Sequence, residues 1–151
     1  MTDTTDMTGR AGGAAGMVGT GRGATGAELR AVVRTYWTAA DARDWDALAA
    51  TLADEVVYDL PQSRERIRGK ERYVRFNQEC PGGRRIRIER IVADGEGRQA
   101  AARTHVTADG EELRAIHFFT FDAQGRITEM TDFWPESYEP PAGREHLIER
   151  Y

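Results

Sequence analysis

The sequence predicts an α+β domain, on three observations. Helical periodicity dominates the stretch from Ala27 to Cys80, two-residue alternation dominates that from Arg85 to Trp134, and the breaks in the second stretch are glycine-containing turns of hairpin length. Three helices followed by an antiparallel sheet bury one face of the sheet under the helices.

The elements follow in order. Leu29, Val32, Val33, Tyr36, Trp37 and Ala40 recur at three- and four-residue spacing and predict a first amphipathic helix from Ala27 to about Ala42. Asp44 is placed to cap a second, shorter helix with Trp45, Leu48, Ala49 and Leu52 on its apolar face, ending near Ala53. Val56 to Leu60 reads as a short strand stopped by Pro61, and Gln62 to Gly69 as a polar loop. Lys70 to Cys80 reads as a third helix with Tyr73, Val74 and Phe76 buried, broken by Pro81-Gly82-Gly83. Strands are expected over Arg85 to Val92, Gln99 to Ala108, Glu111 to Asp122 and Arg126 to Trp134, with turns at Asp94-Gly95-Glu96-Gly97, Ala108-Asp109-Gly110 and Ala123-Gln124-Gly125.

A chain of 151 residues with 40% hydrophobic content holds one core and has no room for a second domain of ordinary size. The expected division is a disordered tail over 1–26, a folded domain over 27–138 and an extension over 139–151 with a final turn near Glu145 to Arg150. The glycine-rich segment 19–26 lacks the preceding strand and the Lys-Ser/Thr ending of a phosphate loop.

The net charge of −4, from 25 acidic and 21 basic residues, gives no footprint for nucleic acid. Arg84, Arg85, Arg87 and Arg90 form a local basic stretch, read as the solvated face of a strand because Arg85 and Arg87 alternate with Ile86 and Ile88. Cys80 is the only cysteine, so thiolates cannot build a zinc site, and His105, His117 and His146 are too scattered for a metal motif. No metal or other cofactor is expected. No apolar run reaches membrane-spanning length, and the N-terminus lacks the order of a signal peptide, so a soluble, cytoplasmic protein is expected.

Alternation places Leu113, Ala115, His117, Phe119 and Phe121 on one side of their strand, and Met130, Asp132 and Trp134 on one side of the next. A histidine among apolar neighbours is often a core residue. A carboxylate on the same side of the neighbouring strand favours a site, because an unpaired buried charge costs several kcal/mol.

The segments Asp44-Trp45-Asp46-Ala47-Leu48, Ala53-Asp54-Glu55-Val56-Val57-Tyr58, Arg68-Gly69-Lys70-Glu71 and Phe121-Asp122-Ala123-Gln124-Gly125-Arg126-Ile127 resemble the nuclear transport factor 2-like superfamily. Within it the chain is most similar to the SnoaL-like group, from about Glu28 to Tyr138. The resemblance implies a cone of three helices on a curved antiparallel sheet enclosing a pocket. Its members include isomerases, cyclases, dehydratases, epoxide hydrolases and non-enzymes, so the fold does not choose the chemistry.

Matched to ketosteroid isomerases of this fold, Tyr36 falls on the helix tyrosine that holds an enolate oxygen and His117 on the acid beside it. Leu60 falls where the general base belongs, and leucine cannot move a proton. Asp132 and His117 resemble the acid/base aspartate and neighbouring histidine of SnoaL-like polyketide cyclases. Limonene epoxide hydrolases also have an aspartate at the position of Asp132, paired with an Arg-x-Asp that here reads Arg103-Thr104-His105.

The expected site is therefore Asp132 as base, His117 as its partner or the acid, and Tyr36 as oxyanion donor. His105 is either a second acid/base or a residue of the outer sheet face, since a one-residue slip in register decides its side. Trp37, Tyr58, Leu60, Phe76, Arg103, Phe119, Met130 and Trp134 are the expected lining of a pocket for a small apolar, oxygenated metabolite. The leading expectation is cofactor-independent cyclisation, isomerisation or dehydration, with a place in natural-product biosynthesis. Its rivals are water addition to an epoxide and a non-catalytic binding or dimerisation module. Ile116 and Phe118 alternate with the pocket-facing set and predict a homodimer through the outer sheet face.

Overall fold

The computed structural model describes residues 22–81 and 83–151, so the expected N-terminal tail lies outside the described residues up to position 21. The first helix, α1, spans Gly26–Ala42 and starts on a capping box. The Thr25 hydroxyl accepts from the Glu28 amide at 3.2 Å, and the Glu28 carboxylate accepts from the Thr25 amide at 2.6 Å. It buries Leu29, Val33, Tyr36, Trp37 and Ala39 and ends at Arg43 in the left-handed region. The second helix, α2, spans Trp45–Ala50, capped by the Asp44 carboxylate, which accepts from the Ala47 amide at 3.0 Å.

The second helix is shorter than expected because the chain enters a strand at Leu52. Strand β1 covers Leu52–Leu60, four residues longer at its start than the apolar run Val56 to Leu60 suggested. The segment expected to be a loop contains a short strand, β2, over Glu65–Arg68, which pairs antiparallel with the end of β1. Its exposed, polar edge position erases the apolar signal by which a strand is read. The third helix, α3, spans Lys70–Glu79, and the long strands are β3 (Arg85–Asp94), β4 (Gln99–Ala108), β5 (Glu111–Phe121) and β6 (Ile127–Phe133). A short 3-10 turn at Glu145–Leu147 lies in the C-terminal extension.

Among the described residues, the six strands form one sheet in the order β2-β1-β6-β5-β4-β3. The expectation of an antiparallel sheet needs one correction: β1 and β6 run parallel, so the sheet is mixed. The first and last strands meet inside the sheet, where the Ile127 amide donates to the Thr51 carbonyl at 2.9 Å. Register shifts between Leu52 and Val57, Ile88 and Arg90, and Thr120 and Phe121 bend the strands around α1. The core lies between that concave face and the helices, where Leu29, Leu48, Leu52, Val56 and Ile127 are fully buried.

Candidate active site

Two ladders align the polar groups on the concave face. Ala102 of β4 stands opposite His117 of β5, and His117 opposite Asp132 of β6. Thr104, two residues along β4 from Ala102, therefore shares the inner face with them. His117 Nδ1 lies 2.7 Å from Asp132 Oδ1, and His117 Nε2 lies 2.8 Å from Thr104 Oγ1. Tyr58 of β1 donates to the other carboxylate oxygen, Asp132 Oδ2, at 2.9 Å. With the imidazole neutral, Nδ1–H donates to Asp132 and Nε2 accepts the Thr104 hydroxyl proton. The histidine is completely buried, so it orients the carboxylate rather than touching a ligand.

Asp132 lies on the wall of a cavity between the sheet, α1 and α3. Its deep lining is Tyr36, Trp37, Tyr58, Tyr73, Val106 and Asp132, all almost fully buried. Its outer lining, Trp45, Phe76, Asn77, Arg84 and Trp134, is half-buried or exposed, and this gradient marks the mouth. The cavity is narrow, about 40 Å³, enough for a few waters at most. A metabolite of ring size needs several hundred Å³, so the aromatic side chains at the mouth must swing aside for it to enter.

The deep lining holds unspent hydrogen-bond donors. The Tyr36 and Tyr73 hydroxyls contact each other. Two hydroxyls carry two protons and their contact uses one, which leaves a proton for a ligand. The Trp37 indole N–H is buried and has no partner among the described residues. Burial, reinforced by the neighbouring phenol of Tyr73 and by Asp132, holds the Tyr36 phenol well above its ordinary pKa. Burial, with Asp132 beside them, likewise raises those of Tyr58 and Tyr73, so all three remain donors through neutral pH. A buried carboxylate facing unpaired donors can remove a proton from carbon or water while the donors hold the oxygen where charge develops.

Of the residues expected at the site, the structure brings together Asp132, Tyr36, Trp37, Tyr58, Phe76 and Trp134 around the cavity, with His117 directly behind Asp132. Phe119 and Met130 lie in the core beside it: Phe119 packs edge-on against Tyr36, with ring centroids 5.8 Å apart. Leu60 is half-buried at the end of β1 and is absent from the cavity wall. His105 and Arg103 point the other way. The pairing of Thr104 with Ala115 turns Ala102, Thr104 and Val106 inward, leaving Arg103 to bind Glu89 at 2.9 Å and His105 to face Glu112 at 3.5 Å on the outer sheet face. His105 therefore has no access to the cavity.

Tyr73, Thr104, Asn77 and Arg84 were not among the expected site residues. Tyr73 and Asn77 are one helical turn apart on α3, a spacing that shares a face. The signal for Arg84 was also present: it has the parity of Ile86 and Ile88, the inward-facing residues of β3, rather than that of Arg85 and Arg87. Among the described residues, no group of three or more His, Cys, Asp or Glu side chains is arranged to hold a metal ion. No helix among the described residues is long and apolar enough to cross a membrane.

The family model of the SnoaL-like domain matches residues 33–130. A steroid Delta-isomerase of Nocardioides simplex is 29% identical over 112 residues, covering 72% of this chain and 90% of the relative. The crystal structure of a ketosteroid isomerase candidate from Kribbella flavida superposes with a TM-score of 0.80 at 44% identity, covering 83% of this chain and 91% of that one. That of a polyketide cyclase candidate from Xanthomonas campestris superposes with a TM-score of 0.63 at 27% identity, covering 71% and 90%.

Proposed function

The chain belongs to the SnoaL-like domain family, and from that membership we propose that it is a cofactor-independent enzyme moving a proton on an apolar, oxygenated metabolite. Cyclisation, isomerisation and dehydration share the step: a carboxylate removes a proton beside a carbonyl while donors hold the resulting enolate oxygen. The observation that carries this reading is Asp132, buried and held by His117 and Tyr58 in a cavity whose deep wall also carries the Tyr36–Tyr73 pair, with one hydroxyl proton to spare, and the Trp37 indole, unpartnered among the described residues. Asp132 is the base, His117 with Thr104 fixes its orientation, and the Tyr36–Tyr73 pair binds the oxyanion. The isomerase and cyclase names of similar proteins support the same class of step. In epoxide hydrolysis, sharing of the water activation between Asp132 and His105 is disfavoured, because His105 faces Glu112 on the outer sheet face.

The narrowness of the cavity favours a second reading, a binding module with a filled pocket. The test is deuterium exchange from heavy water into a β,γ-unsaturated cyclic ketone, followed by NMR. Proton transfer predicts exchange by the native protein and a drop of about 10² to 10⁴-fold in Asp132→Asn, with a comparable loss in His117→Ala. Background-level exchange by the native protein, or equal rates in the native protein and both variants, overturns it.

The outer sheet face is the proposed dimer interface. Val92, Ile116 and Phe118 are 49%, 41% and 51% exposed on one chain. An open groove of about 560 Å³ between Val92, Ala101 and Phe118 lies there, on the side away from Asp132. Glu89, bound to Arg103 at 2.9 Å with Arg87 and Arg114 within 3.6 Å, adds charges of both signs beside the apolar patch, as a self-complementary two-fold contact requires.

A further inference from the structure

We infer that the mouth of the Asp132 cavity is a subsite for a carboxylate, held by Arg84, so that the ligand is an acid with an apolar ring body. This rests on the proposed proton-transfer site and names the class of its substrate. Every other arginine among the described residues is exposed, and Arg84 alone is half-buried. It lines the cavity with Asn77, Phe76, Trp45 and Trp134 and has no ion pair or hydrogen bond among the described residues. Its neighbour Arg85, one position on and facing the other way, binds Asp41 at 3.1 Å.

A guanidinium withdrawn from water without a counter-ion is costly, and the cost is offset when an anion arrives. Burial dominates in raising the phenols of Tyr58 and Tyr73, and the charge of Arg84, from the same cavity wall, opposes that rise at both. One arginine on a wall shared with the Asn77 amide, which donates one hydrogen to the Tyr73 carbonyl at 3.0 Å and has a second to offer, matches the single charge and planar fork of a carboxylate. A phosphate dianion calls for more cationic donors than this mouth offers.

The position also explains how such a ligand is oriented. Asp132 at the deep end repels an anion, and Arg84 at the mouth attracts one. A ring acid therefore enters ring first, with the aromatic mouth closing on its body and its reacting carbon towards Asp132. Binding energy from the remote carboxylate then serves to place the reacting centre.

All three tryptophans line this cavity, so their fluorescence reports its occupancy. The experiment titrates 1-naphthaleneacetic acid and 1-naphthaleneacetamide into the native protein, Arg84→Gln and Arg84→Lys. The inference expects the native protein to bind the acid at least about tenfold more tightly than the amide. Arg84→Gln should lose that preference with its amide affinity kept, and Arg84→Lys should retain part of it. Equal binding of acid and amide by the native protein, an undiminished preference in Arg84→Gln, or no binding of either compound overturns the subsite. The readout is independent of turnover. Deuterium exchange that depends on Asp132 with no acid preference would sink the subsite alone, and acid preference without exchange would sink the proton-transfer reading alone.

Discussion

Tyr58 and Asp132, 74 residues apart in sequence, are joined by a hydrogen bond of 2.9 Å from the phenol to Oδ2. Tyr58 stands opposite Met130 in the parallel β1–β6 ladder, and Asp132 follows Met130 by two residues on the same face. A long side chain reaches that diagonal neighbour, so the parallel pairing is what aims the phenol at the carboxylate. His117 approaches the other oxygen from the antiparallel side.

Replacing Tyr58 by Phe keeps the ring and removes the donor, leaving Asp132 Oδ2 buried with one partner fewer. The expected loss of stability is about 1–3 kcal/mol in denaturant unfolding. In the double variant with Asp132→Asn the two losses should fail to add, with a coupling of about 0.5–3 kcal/mol. Additive losses would mean that the bond does not tie the two residues together.

Thr104→Val is nearly isosteric and removes the hydroxyl at His117 Nε2. The ring nitrogen is then buried without a partner, at a cost of about 1–3 kcal/mol. Because Thr104 acts through His117 and is absent from the cavity wall, deuterium exchange should fall in kcat with KM unchanged, and Thr104→Ser should restore it. A change in KM alone would contradict this positioning role.

The sequence made the helices, the long hairpins and the His117–Asp132 pair legible because alternation and turn glycines are local signals. The neighbour of β6 on its other side was not legible. The parallel meeting of β1 and β6 depends on a contact between segments far apart, which no local pattern encodes, and the short strand β2 is too polar to stand out. His105 shows the same limit from another side: its strand alternates cleanly, but only the pairing of Ala102 with His117 decides which half faces the core. Arg84 was legible by parity and was absorbed into a run of arginines whose other members are exposed.

Phe118→Arg tests the proposed dimer. Phe118 sits between Ala101 and Thr131 in the ladders, with its ring edge-on to Phe133 at 6.0 Å on the outer face. An arginine there replaces an apolar contact by a desolvated charge on both subunits. Sedimentation equilibrium should show a native dimer and a weakening of at least about 100-fold, close to 3 kcal/mol. Circular dichroism should be unchanged. A native protein that sediments as a monomer at all concentrations refutes the interface.

The buried phenols predict how the protein unfolds in alkali. Burial is the largest cause holding Tyr36, Tyr58 and Tyr73 above the ordinary value of 10.0. Below pH 10 the three are protonated whether the chain is folded or not, and stability does not depend on them. Above it the unfolded chain releases these protons while the folded chain keeps them, so the unfolded state binds fewer protons and stability falls with rising pH. Each phenol contributes a slope of up to about 1.4 kcal/mol per pH unit, and the three together about 4. A domain stable by about 5–15 kcal/mol loses that margin within a few pH units. Phenolate absorbance from these residues should therefore appear together with the loss of far-ultraviolet circular dichroism. In Tyr36→Phe with Tyr73→Phe the slope of stability against pH should drop to about a third. Ionisation of all the tyrosines in a chain that keeps its full secondary structure would show that the phenols are open to water.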